Sequence, residues 1–332
     1  MIENDDEKNL PFVSALLVTR NEQDYIQSAL MSYIEQSYPK DRYEVIVIDG
    51  GSTDRTVDII EEIKKKYETD EFKISVLNNP KRILASGWNI GIKAARGEYV
   101  IRIDAHAKAY PDFIQKSVET MLRINAVCVG GKLITKTIQD SNEAIAKVFS
   151  SSFGVGNSSF RVSDNAGYVD TAVYGLYRKS IFEEAGYFDE KYARNQDLQM
   201  HSRIRRRGGK FYFNPEIQCE YYARNTIKKM IGQAFGNGKW NMTLLKEDPA
   251  GLSIRHLVPF AFVIFLVIAS LGGIAFKPLW ILELCVISIH LVLGLYFGRK
   301  SGAQGCEMLQ MPILFLLFHL AYGSGSLVGI FK

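Results

Sequence analysis

The sequence predicts an α/β domain followed by a membrane-associated C-terminal part, and three observations lead to this prediction. Short apolar runs alternate with amphipathic helical patterns over the first third of the chain. Several of those apolar runs end at a polar or acidic residue. Near the C-terminus, three stretches are long and apolar enough to cross a bilayer. Strands that alternate with helices favour a mostly parallel sheet with helices on its faces.

Four strands and four helices are expected in the first part of the chain. The strands are predicted at 13–18, 45–48, 73–77 and 99–103, and the helices at 24–36, 54–67, 86–97 and from Pro111 onward. Ligands of open α/β sheets bind beyond the carboxyl ends of the strands. The residues that follow these strands are therefore the first candidates for a binding site.

The three apolar stretches, 257–276, 278–297 and 308–331, are predicted to span a membrane as helices. Buried helices of a soluble core are the alternative, but three such stretches in succession exceed any usual core. With the N-terminal part in the cytoplasm, three spans place Arg299 and Lys300 inside, which agrees with the positive-inside rule. We therefore expect a multi-pass protein of the cell membrane with a cytoplasmic α/β domain.

The segment before the first span has the pattern of a helix that lies in the membrane interface. Apolar residues recur between 226 and 245 together with several lysines, although three glycines weaken the helix prediction. The expected domains are an α/β domain over 1–225, an amphipathic membrane-interface segment over 226–256 and a three-helix membrane anchor over 257–332.

The overall charge and the cysteines exclude some classes of function. The chain holds 40 Lys and Arg against 36 Asp and Glu, a net charge of +4 without a general basic surface, so nucleic acid is not an expected partner. Four widely spaced cysteines without a C-x-x-C pair argue against a structural zinc site and fit a reduced cytosolic compartment. The acidic N-terminus has no apolar core, so no signal peptide is expected.

Polar residues follow the first two strands. Thr19, Asn21 and Glu22 come after the first strand and could hold a base or a ribose, although a helix-capping turn explains them equally well. Asp49 ends the second strand, and the two glycines after it allow the backbone to approach a ligand closely. Asp54 is better explained as a cap of the following helix than as a ligand contact.

Asp104 and His106 follow the fourth strand and are candidates for a metal site. Residues i and i+2 of an extended segment project to the same side, so these two side chains could hold one divalent ion. An imidazole ligand favours Mn²⁺ over Mg²⁺ without excluding Mg²⁺. A histidine in a surface loop is the alternative interpretation.

Asp197 is the candidate general base. It opens a helical pattern, and a carboxylate at a helix N-terminus stays ionised, as a base for an incoming hydroxyl must be. Helix capping alone would also explain it, and Asp189 is a competing acid. Candidates for phosphate or acceptor contacts are Arg82, Arg102, Arg206 and Trp240, the last of which is most simply an interfacial anchor.

Taken in order, these residues resemble the family 2 glycosyltransferases of the GT-A fold, over about Pro11 to Trp240. The matching motifs are V-T-R-N-E at 18–22, I-D-G-G-S-T-D at 48–54 and N-x-G-x-x-x-A-x-G at 89–97. D-A-H at 104–106 takes the place of the family's D-x-D motif, and Gln196–Asp197 that of its E-D pair. The D-A-H form and the trailing spans are most similar to the succinoglycan-type exopolysaccharide glycosyltransferases with C-terminal transmembrane helices.

The resemblance implies inverting transfer of a sugar from a nucleotide-sugar, usually a UDP-sugar, to a lipid-linked saccharide at a membrane. It implies nucleotide contacts by Thr19, Asn21, Glu22, Asp49, Gly51 and Asp104, with Asp49 accepting the imide N–H of a uracil. It further implies Mn²⁺ or Mg²⁺ held by Asp104 and His106, and proton removal by Asp197.

The chain departs from the family pattern at His106, at Gly50 in place of a second acid, and at Lys239–Trp240, which is no Q-x-x-R-W motif. The last departure argues against processive synthesis. A polyprenyl-phosphate glycosyltransferase that loads sugar directly onto a lipid phosphate remains an alternative. So does a non-catalytic membrane scaffold that retains the nucleotide fold.

Overall fold

The computed structural model describes residues 10–137, 142–223 and 226–331 and divides the chain into two compact units. The first, here called the sheet unit, comprises Met1–Ile134 and Asp164–Tyr221. The second, the helical unit, comprises Thr135–Ser163 and Tyr222–Lys332. The N-terminal residues 1–9, for which no signal peptide is expected, lie outside the described residues.

Four of the strands were expected from the sequence, and the others lie between residues 107 and 222. The strands are β1 (Val13–Thr19), β2 (Tyr43–Asp49), β3 (Ile74–Asn78), β4 (Tyr99–Asp104), β5 (Ala107–Ala109), β6 (Cys128–Lys136), β7 (Gly167–Val169), β8 (Leu176–Arg178) and β9 (Phe211–Tyr222).

The helices alternate with the first strands and then predominate toward the C-terminus. They are α1 (Ile26–Ile34), α2 (Thr56–Tyr67), α3 (Leu84–Ala94), α4 (Phe113–Arg123), α5 (Glu143–Ser150), α6 (Ser152–Val155), α7 (Ser159–Val162), α8 (Ser180–Ala185), α9 (Gln196–Arg206), α10 (Ile227–Glu247), α11 (Val258–Gly272), α12 (Pro278–Lys300) and α13 (Gly305–Ile330).

The sheet is mixed, which corrects the prediction of a mostly parallel sheet. Among the described residues its strand order is β3-β2-β1-β4-β8-β6-β9-β5, with β7 paired to β9. The parallel part, β3-β2-β1-β4, is the part predicted from the sequence. Strand β8 is antiparallel to both β4 and β6, and β9 is antiparallel to both β5 and β7. Three of the missed strands have only three residues, which is too short for a periodic pattern to emerge.

The apolar runs of the central strands form the core of the sheet unit. All seven residues of β1 and all seven of β2 are buried, as expected for strands covered on both faces. Trp88 of α3 packs on these strands in one cluster with Leu16, Ile48 and Val100. A run buried on both sides cannot shift its register without exposing apolar surface, so the strand ends are held at defined positions.

Residues 135–163 belong to the helical unit, which differs from the predicted boundary at 225. Helix α5 begins at an Asn142 cap, whose side chain accepts a hydrogen bond from the Ala144 N–H. Lys147 then pairs with Glu307 of α13, and the Phe149 ring lies 5.6 Å from the Phe318 ring. The apolar face of α5 is thus buried on α13.

Helix α10 forms over 21 residues in spite of its glycines, and one of them permits close packing on α13. A Cβ atom at Gly238 would lie 1.9 Å from the Tyr322 carbonyl oxygen, and one at Gly325 of α13 would lie 2.0 Å from the Phe235 carbonyl oxygen. Close helix contact through glycine is typical of membrane-embedded pairs.

Three helices of the helical unit are long and apolar enough to cross a membrane, at Ile254–Gly272, Pro278–Lys300 and Gly305–Ile330. They coincide with the three spans predicted from the sequence, and such helices indicate membrane association.

Candidate active site

A cavity of about 240 Å³ lies at the carboxyl ends of the parallel strands. It is lined by Thr19 from the end of β1, Asp104 from the end of β4 and His106 from the turn that follows, together with Glu22 and Arg82. This is the position that the topology of an open α/β sheet assigns to a ligand. The structure therefore brings together most of the residues predicted for the nucleotide and metal sites.

The loops after β1 and β2 are joined by hydrogen bonds that occupy Asn21. Its side-chain oxygen accepts from the Thr53 N–H at 2.8 Å, and its own N–H donates to the Ser52 hydroxyl at 2.9 Å. Asn21 has φ of 53°, a left-handed conformation that asparagine tolerates better than most residues. These contacts give Asn21 a role in shaping the loop, and its predicted contact with a nucleotide stays a prediction.

Asp49 organises the turn that follows β2. Its carboxylate accepts hydrogen bonds from the N–H groups of Gly51 and Ser52 at 2.9 and 3.0 Å, and from the Ser52 hydroxyl at 2.6 Å. Gly51 has φ of +73°, which requires glycine or strain. Asp54 accepts from the Thr56 N–H at 3.0 Å, but the N-cap position of α2 is Arg55, so Asp54 stabilises the turn before the helix and is not the predicted cap.

Thr19 carries a polar atom that points to a ligand. The side chain is 3% exposed, lines the cavity, and its Oγ1 has no hydrogen-bond partner among the described residues. A buried hydroxyl without a partner costs about 1–3 kcal/mol. A ribose or base that occupied the cavity would provide the missing partner.

Asp104 and His106 reach the same cavity by a different route from the one predicted. The segment between β4 and β5 is a tight turn and not an extended strand, yet both side chains line the cavity. Oδ2 of Asp104 accepts a hydrogen bond from the Tyr174 hydroxyl at 2.9 Å. Nδ1 of His106 lies 3.8 Å from Oε1 of Glu22.

The donor atoms at this turn fit a divalent cation that is bound mainly through a ligand's phosphates. Within the described residues, no three His, Cys, Asp or Glu side chains are grouped as a complete metal site. Asp104 and His106 would thus supply one carboxylate oxygen and one imidazole nitrogen. Mg²⁺ is commonly held by one or two protein carboxylates and by substrate phosphates, and Mn²⁺ accepts imidazole as well.

Asp197 lies in the first turn of α9 and forms an ion pair with Arg102 of β4. Nη2 of Arg102 is 2.6 Å from Oδ1 of Asp197. The Asp197 side chain is 31% exposed, whereas that of Arg102 is only 5% exposed. The arginine guanidinium is packed between Trp88 and Phe188, at 4.9 and 5.3 Å from their ring centroids.

The electrostatics of this pair suit a base. Burial raises the pKa of the Asp197 carboxyl, and Arg102 opposes that rise while the charge of Asp104 adds to it. Although burial disfavours its charge, Asp197 raises the pKa of Arg102, so the guanidinium stays charged. A carboxylate held ionised by a fixed cation, yet more basic than a free aspartate, can accept a proton.

The other candidate residues do not line the cavity. Arg102 is buried and pairs with Asp197 through Nη2, whereas its Nε has no hydrogen-bond partner among the described residues, and its predicted contact with a phosphate or an acceptor stays a prediction. Arg206 is exposed at the other end of α9, about 13 Å along the helix axis from Asp197. Asp189 accepts the Lys191 N–H at 3.0 Å within a turn. Trp240 lies on α10 of the helical unit.

Tyr174 contacts the candidate metal ligand Asp104, and the sequence does not predict this contact. Its hydroxyl contacts Asp104, and burial and the charge of Asp104 raise its pKa well above the ordinary value, so it stays a protonated donor. It has φ of 47°, a conformation that is uncommon for an aromatic residue. No periodic pattern or motif marks this tyrosine, and only the pairing of β8 with β4 brings its segment to Asp104.

Comparison with known proteins assigns this chain to a family. Residues 14–186 match Glycosyl transferase family 2. The chain is 32% identical over 327 residues to the "Dolichyl N-acetyl-alpha-D-glucosaminyl phosphate 3-beta-D-2,3-diacetamido-2,3-dideoxy-beta-D-glucuronosyltransferase" of Methanococcus voltae, covering 97% of this chain and 98% of the relative. It is 28% identical over 243 residues to the succinoglycan biosynthesis protein ExoA of Rhizobium meliloti, covering 73% of this chain and 72% of that relative.

A solved structure shows the same fold. The mannosyltransferase PcManGT from Pyrobaculum calidifontis, in complex with GDP-Man and Mn²⁺, superposes with a TM-score of 0.65 at 17% identity, covering 94% of this chain and 87% of that one. At that identity the likeness is one of fold.

The fold is thus that of a GT-A enzyme, followed by three candidate membrane helices. The chain belongs to glycosyl transferase family 2, and the protein is a glycosyltransferase with relatives of the exopolysaccharide type.

Proposed function

We propose that the protein transfers one sugar, with inversion, from a UDP-sugar to a lipid-linked saccharide on the cytoplasmic face of a membrane. The observation that carries the proposal is the cavity at the ends of β1 and β4. It combines an unpaired buried hydroxyl at Thr19, a cation at Arg82 and the candidate metal ligands Asp104 and His106. These are partners for a nucleoside, for a diphosphate and for its counter-ion.

In this proposal the donor occupies the cavity with its diphosphate beside Arg82 and Asp104. A divalent ion at Asp104 and His106, when bound, would supply charge neutralisation for the leaving diphosphate. Tyr174 holds the Asp104 carboxylate in one orientation through its hydrogen bond. The turn organised by Asp49 and the glycine at 51 shapes the wall next to Arg82.

Asp197 acts on the acceptor. It takes the proton of the acceptor hydroxyl as that oxygen forms a bond to the anomeric carbon. The bond from this carbon to the diphosphate breaks at the same time, and the nucleoside diphosphate leaves from the opposite face. Arg102 keeps Asp197 ionised and in place until the proton is transferred.

The relatives and the candidate membrane helices support this choice of acceptor. The archaeal relative that matches almost the full chain is named for transfer to a dolichyl-linked sugar phosphate. A lipid-linked saccharide is held in a membrane, and three candidate spans that would keep the enzyme at the membrane follow the α/β domain here. In this proposal the sheet unit is the catalytic domain, and the helical unit is the membrane-associated domain.

The donor site is tested by calorimetric binding of UDP, GDP and dTDP to the detergent-purified full chain, with Mn²⁺ and with a chelator. We expect UDP to bind in a Mn²⁺-dependent manner, and the Asp104→Ala variant to lose that binding. Asp112→Ala is a matched control, because Asp112 makes a surface pair with Lys116. Binding of GDP or dTDP in place of UDP would change the donor, and binding of none would contradict a nucleotide-sugar enzyme.

Direct loading of a lipid phosphate is the alternative acceptor reaction. A phosphate acceptor carries no proton that must be removed by a strong base. A mild effect of Asp197→Asn on transfer would therefore favour the alternative, whereas loss of transfer would favour a hydroxyl acceptor.

A further inference from the structure

The helical unit contains a cavity of about 520 Å³ that the proposed transfer reaction does not use. Its described lining residues all belong to this unit, on α5, α6, α7, α10, α11, α12, α13 and the turns between them. The volume is in the range of sites that bind small organic ligands. No described lining residue is shared with the nucleotide cavity, so this is a candidate for a second binding site.

The apolar part of the lining is formed largely by phenylalanine rings. Phe153 stacks on Phe297, with the ring centroids 5.2 Å apart. The imidazole of His290 lies 5.0 Å from the Phe153 ring and is stacked 5.1 Å from the Phe262 ring. Phe262, Phe297 and Phe318 line the cavity from three candidate membrane spans. A hydrocarbon chain would be removed from water by packing on these rings.

Two histidines of the lining form a hydrogen-bonded chain whose direction follows from its end. Nε2 of His319 lies 2.9 Å from the Phe153 carbonyl oxygen, which can only accept, so this nitrogen carries the proton. With both rings neutral, Nδ1 of His319 then accepts from Nε2 of His290 at 2.9 Å. Nδ1 of His290 is therefore an acceptor. His290 is only 7% exposed, and this nitrogen has no hydrogen-bond partner among the described residues.

Two further polar groups of the lining are available to a ligand. Oε1 of Gln233, on α10, is buried and has no hydrogen-bond partner in the part of the chain that the structure describes. Ser158 is 5% exposed, and its hydroxyl does not cap α7, which begins at the next residue. Buried polar atoms are paired in the great majority of cases. An imidazole nitrogen, an amide oxygen and a hydroxyl in one cavity thus favour a ligand that supplies hydrogen-bond donors.

The chemistry of these groups distinguishes between ligand classes. Hydroxyl groups donate to imidazole nitrogens and amide oxygens, whereas the oxygens of a phosphate dianion only accept and would be repelled by them. A plain hydrocarbon would leave the polar atoms unpaired. Arg161 and Arg255 also line the cavity, and both already donate hydrogen bonds to side chains of the helical unit. The lining therefore favours an uncharged ligand that combines hydroxyl groups with an apolar body.

We propose that this cavity binds a lipid whose uncharged headgroup carries hydroxyl groups. The headgroup hydroxyls lie toward His290, Gln233 and Ser158, and the hydrocarbon chain lies along the phenylalanine rings. A glycerol headgroup and a sugar headgroup share this chemistry. The site involves the helical unit alone and goes beyond the transfer reaction, so it does not depend on the proposed donor site.

Binding of two hydroxyl-bearing lipids, 1-monodecanoylglycerol and decyl glucoside, to the full chain tests the proposal. The measurement is made in lauryldimethylamine oxide, a detergent without hydroxyl groups that could compete. Methyl decanoate, which has no hydroxyl group, and decyl phosphate, which is charged, are the comparison ligands. We expect the tighter of the two hydroxyl-bearing lipids to bind at least about tenfold more tightly than either comparison ligand, and its headgroup identifies the source.

Two variants remove one acceptor each while keeping an apolar side chain of similar size. His290→Phe and Gln233→Leu should each weaken binding of the hydroxyl-bearing lipid about threefold to tenfold, the effect of one neutral hydrogen bond. Binding of methyl decanoate should be unchanged in both. His290→Asn, which places an amide near the position of Nδ1, should bind more tightly than His290→Phe. Gln310→Leu is the matched control, since Gln310 is exposed on α13 and does not line the cavity.

Three results would overturn the proposal. Equal affinity of the wild type, His290→Phe and Gln233→Leu for the hydroxyl-bearing lipids would mean that no headgroup reaches these acceptors. Equal binding of methyl decanoate would indicate a purely apolar cavity, and tighter binding of decyl phosphate would indicate an anion site. Melting in the same detergent shows which variants are folded, and His290→Asn replaces His290→Phe in the comparison with Gln310→Leu if the latter histidine variant is not. UDP binding should be the same in all folded variants.

Discussion

Arg102 and Asp197 meet at 2.6 Å although they are 95 positions apart in the chain, one on β4 and the other in the first turn of α9. The arginine cannot move easily, since Trp88 and Phe188 pack on its guanidinium. The carboxylate is therefore held by a fixed cation rather than by a mobile surface side chain. This relationship defines the part of the site at which proton removal is proposed.

Replacement of Asp197 by Asn should reduce turnover by about 10²–10⁴-fold, the usual contribution of a general base. Nucleotide binding should be unchanged, because Asp197 does not line the nucleotide cavity. Transfer rates and UDP calorimetry on one preparation measure both effects. Asp189→Asn is the matched control, as its carboxylate serves a local turn, and a loss of turnover in that variant would reassign the base.

Replacement of Arg102 by Gln should shift the acidic limb of the pH–rate profile to higher pH. Arg102 lowers the pKa of Asp197 against the rise caused by burial, so its removal lets that pKa rise further. The ionised base is then lost at a higher pH as the solution is acidified. Arg102→Lys should keep the limb near its wild-type position while reducing turnover. An unchanged limb in Arg102→Gln would mean that the ion pair does not tune the base.

Replacement of His106 by Asp should shift the metal preference from Mn²⁺ toward Mg²⁺. A carboxylate in place of an imidazole presents the oxygen ligand that Mg²⁺ prefers. We expect the ratio of UDP affinities in Mn²⁺ and Mg²⁺ to fall by about tenfold, measured by calorimetry in each ion. His106→Ala should weaken UDP binding in both ions. Identical ion preferences in wild type and His106→Asp would remove His106 from the metal site.

Two glycine-to-alanine changes on α10 should differ in their effect on thermal stability. A Cβ at Gly238 would clash with the Tyr322 carbonyl oxygen of α13, whereas one at Gly232 would meet nothing within 4 Å. Overpacking costs about 1–3 kcal/mol, and alanine in an exposed helix position gains up to about 1 kcal/mol over glycine. Melting in detergent should therefore show Gly238→Ala destabilised and Gly232→Ala unchanged or stabilised. Equal melting temperatures for the two variants would show that α10 and α13 do not pack closely.

Strands β1, β2 and β4 could be predicted because each is a local apolar run that ends abruptly at Thr19, Asp49 or Asp104. The three spans could be predicted for a similar reason, since a bilayer imposes a length and composition that one stretch of sequence must satisfy alone. The sequence favoured a helix at α10 only weakly, because its glycines lower helix propensity. The close packing that these glycines allow depends on the facing surface of α13, which the local sequence does not reveal.

The structure groups residues 135–163 with the helical unit, which the sequence did not predict, because an apolar pattern indicates burial without indicating the partner segment. Helix α5 packs on α13, which begins more than 150 positions later in the chain. The turn that carries Asp104 and His106 could not be predicted from the local sequence either. Residues 104–106 were expected to be extended, and they form a tight turn in the structure. Both outcomes depend on packing between distant segments.

The sequence by itself determined the membrane association, the parallel half of the sheet and the residue types at the strand ends, because these depend on local periodicity and on motifs of a few residues. The tertiary structure decided that Arg102 pairs with Asp197 and that the Tyr174 hydroxyl contacts Asp104. Those relationships join positions far apart in the chain. They arise only when the core has packed, because burial and not proximity in sequence selects the partners.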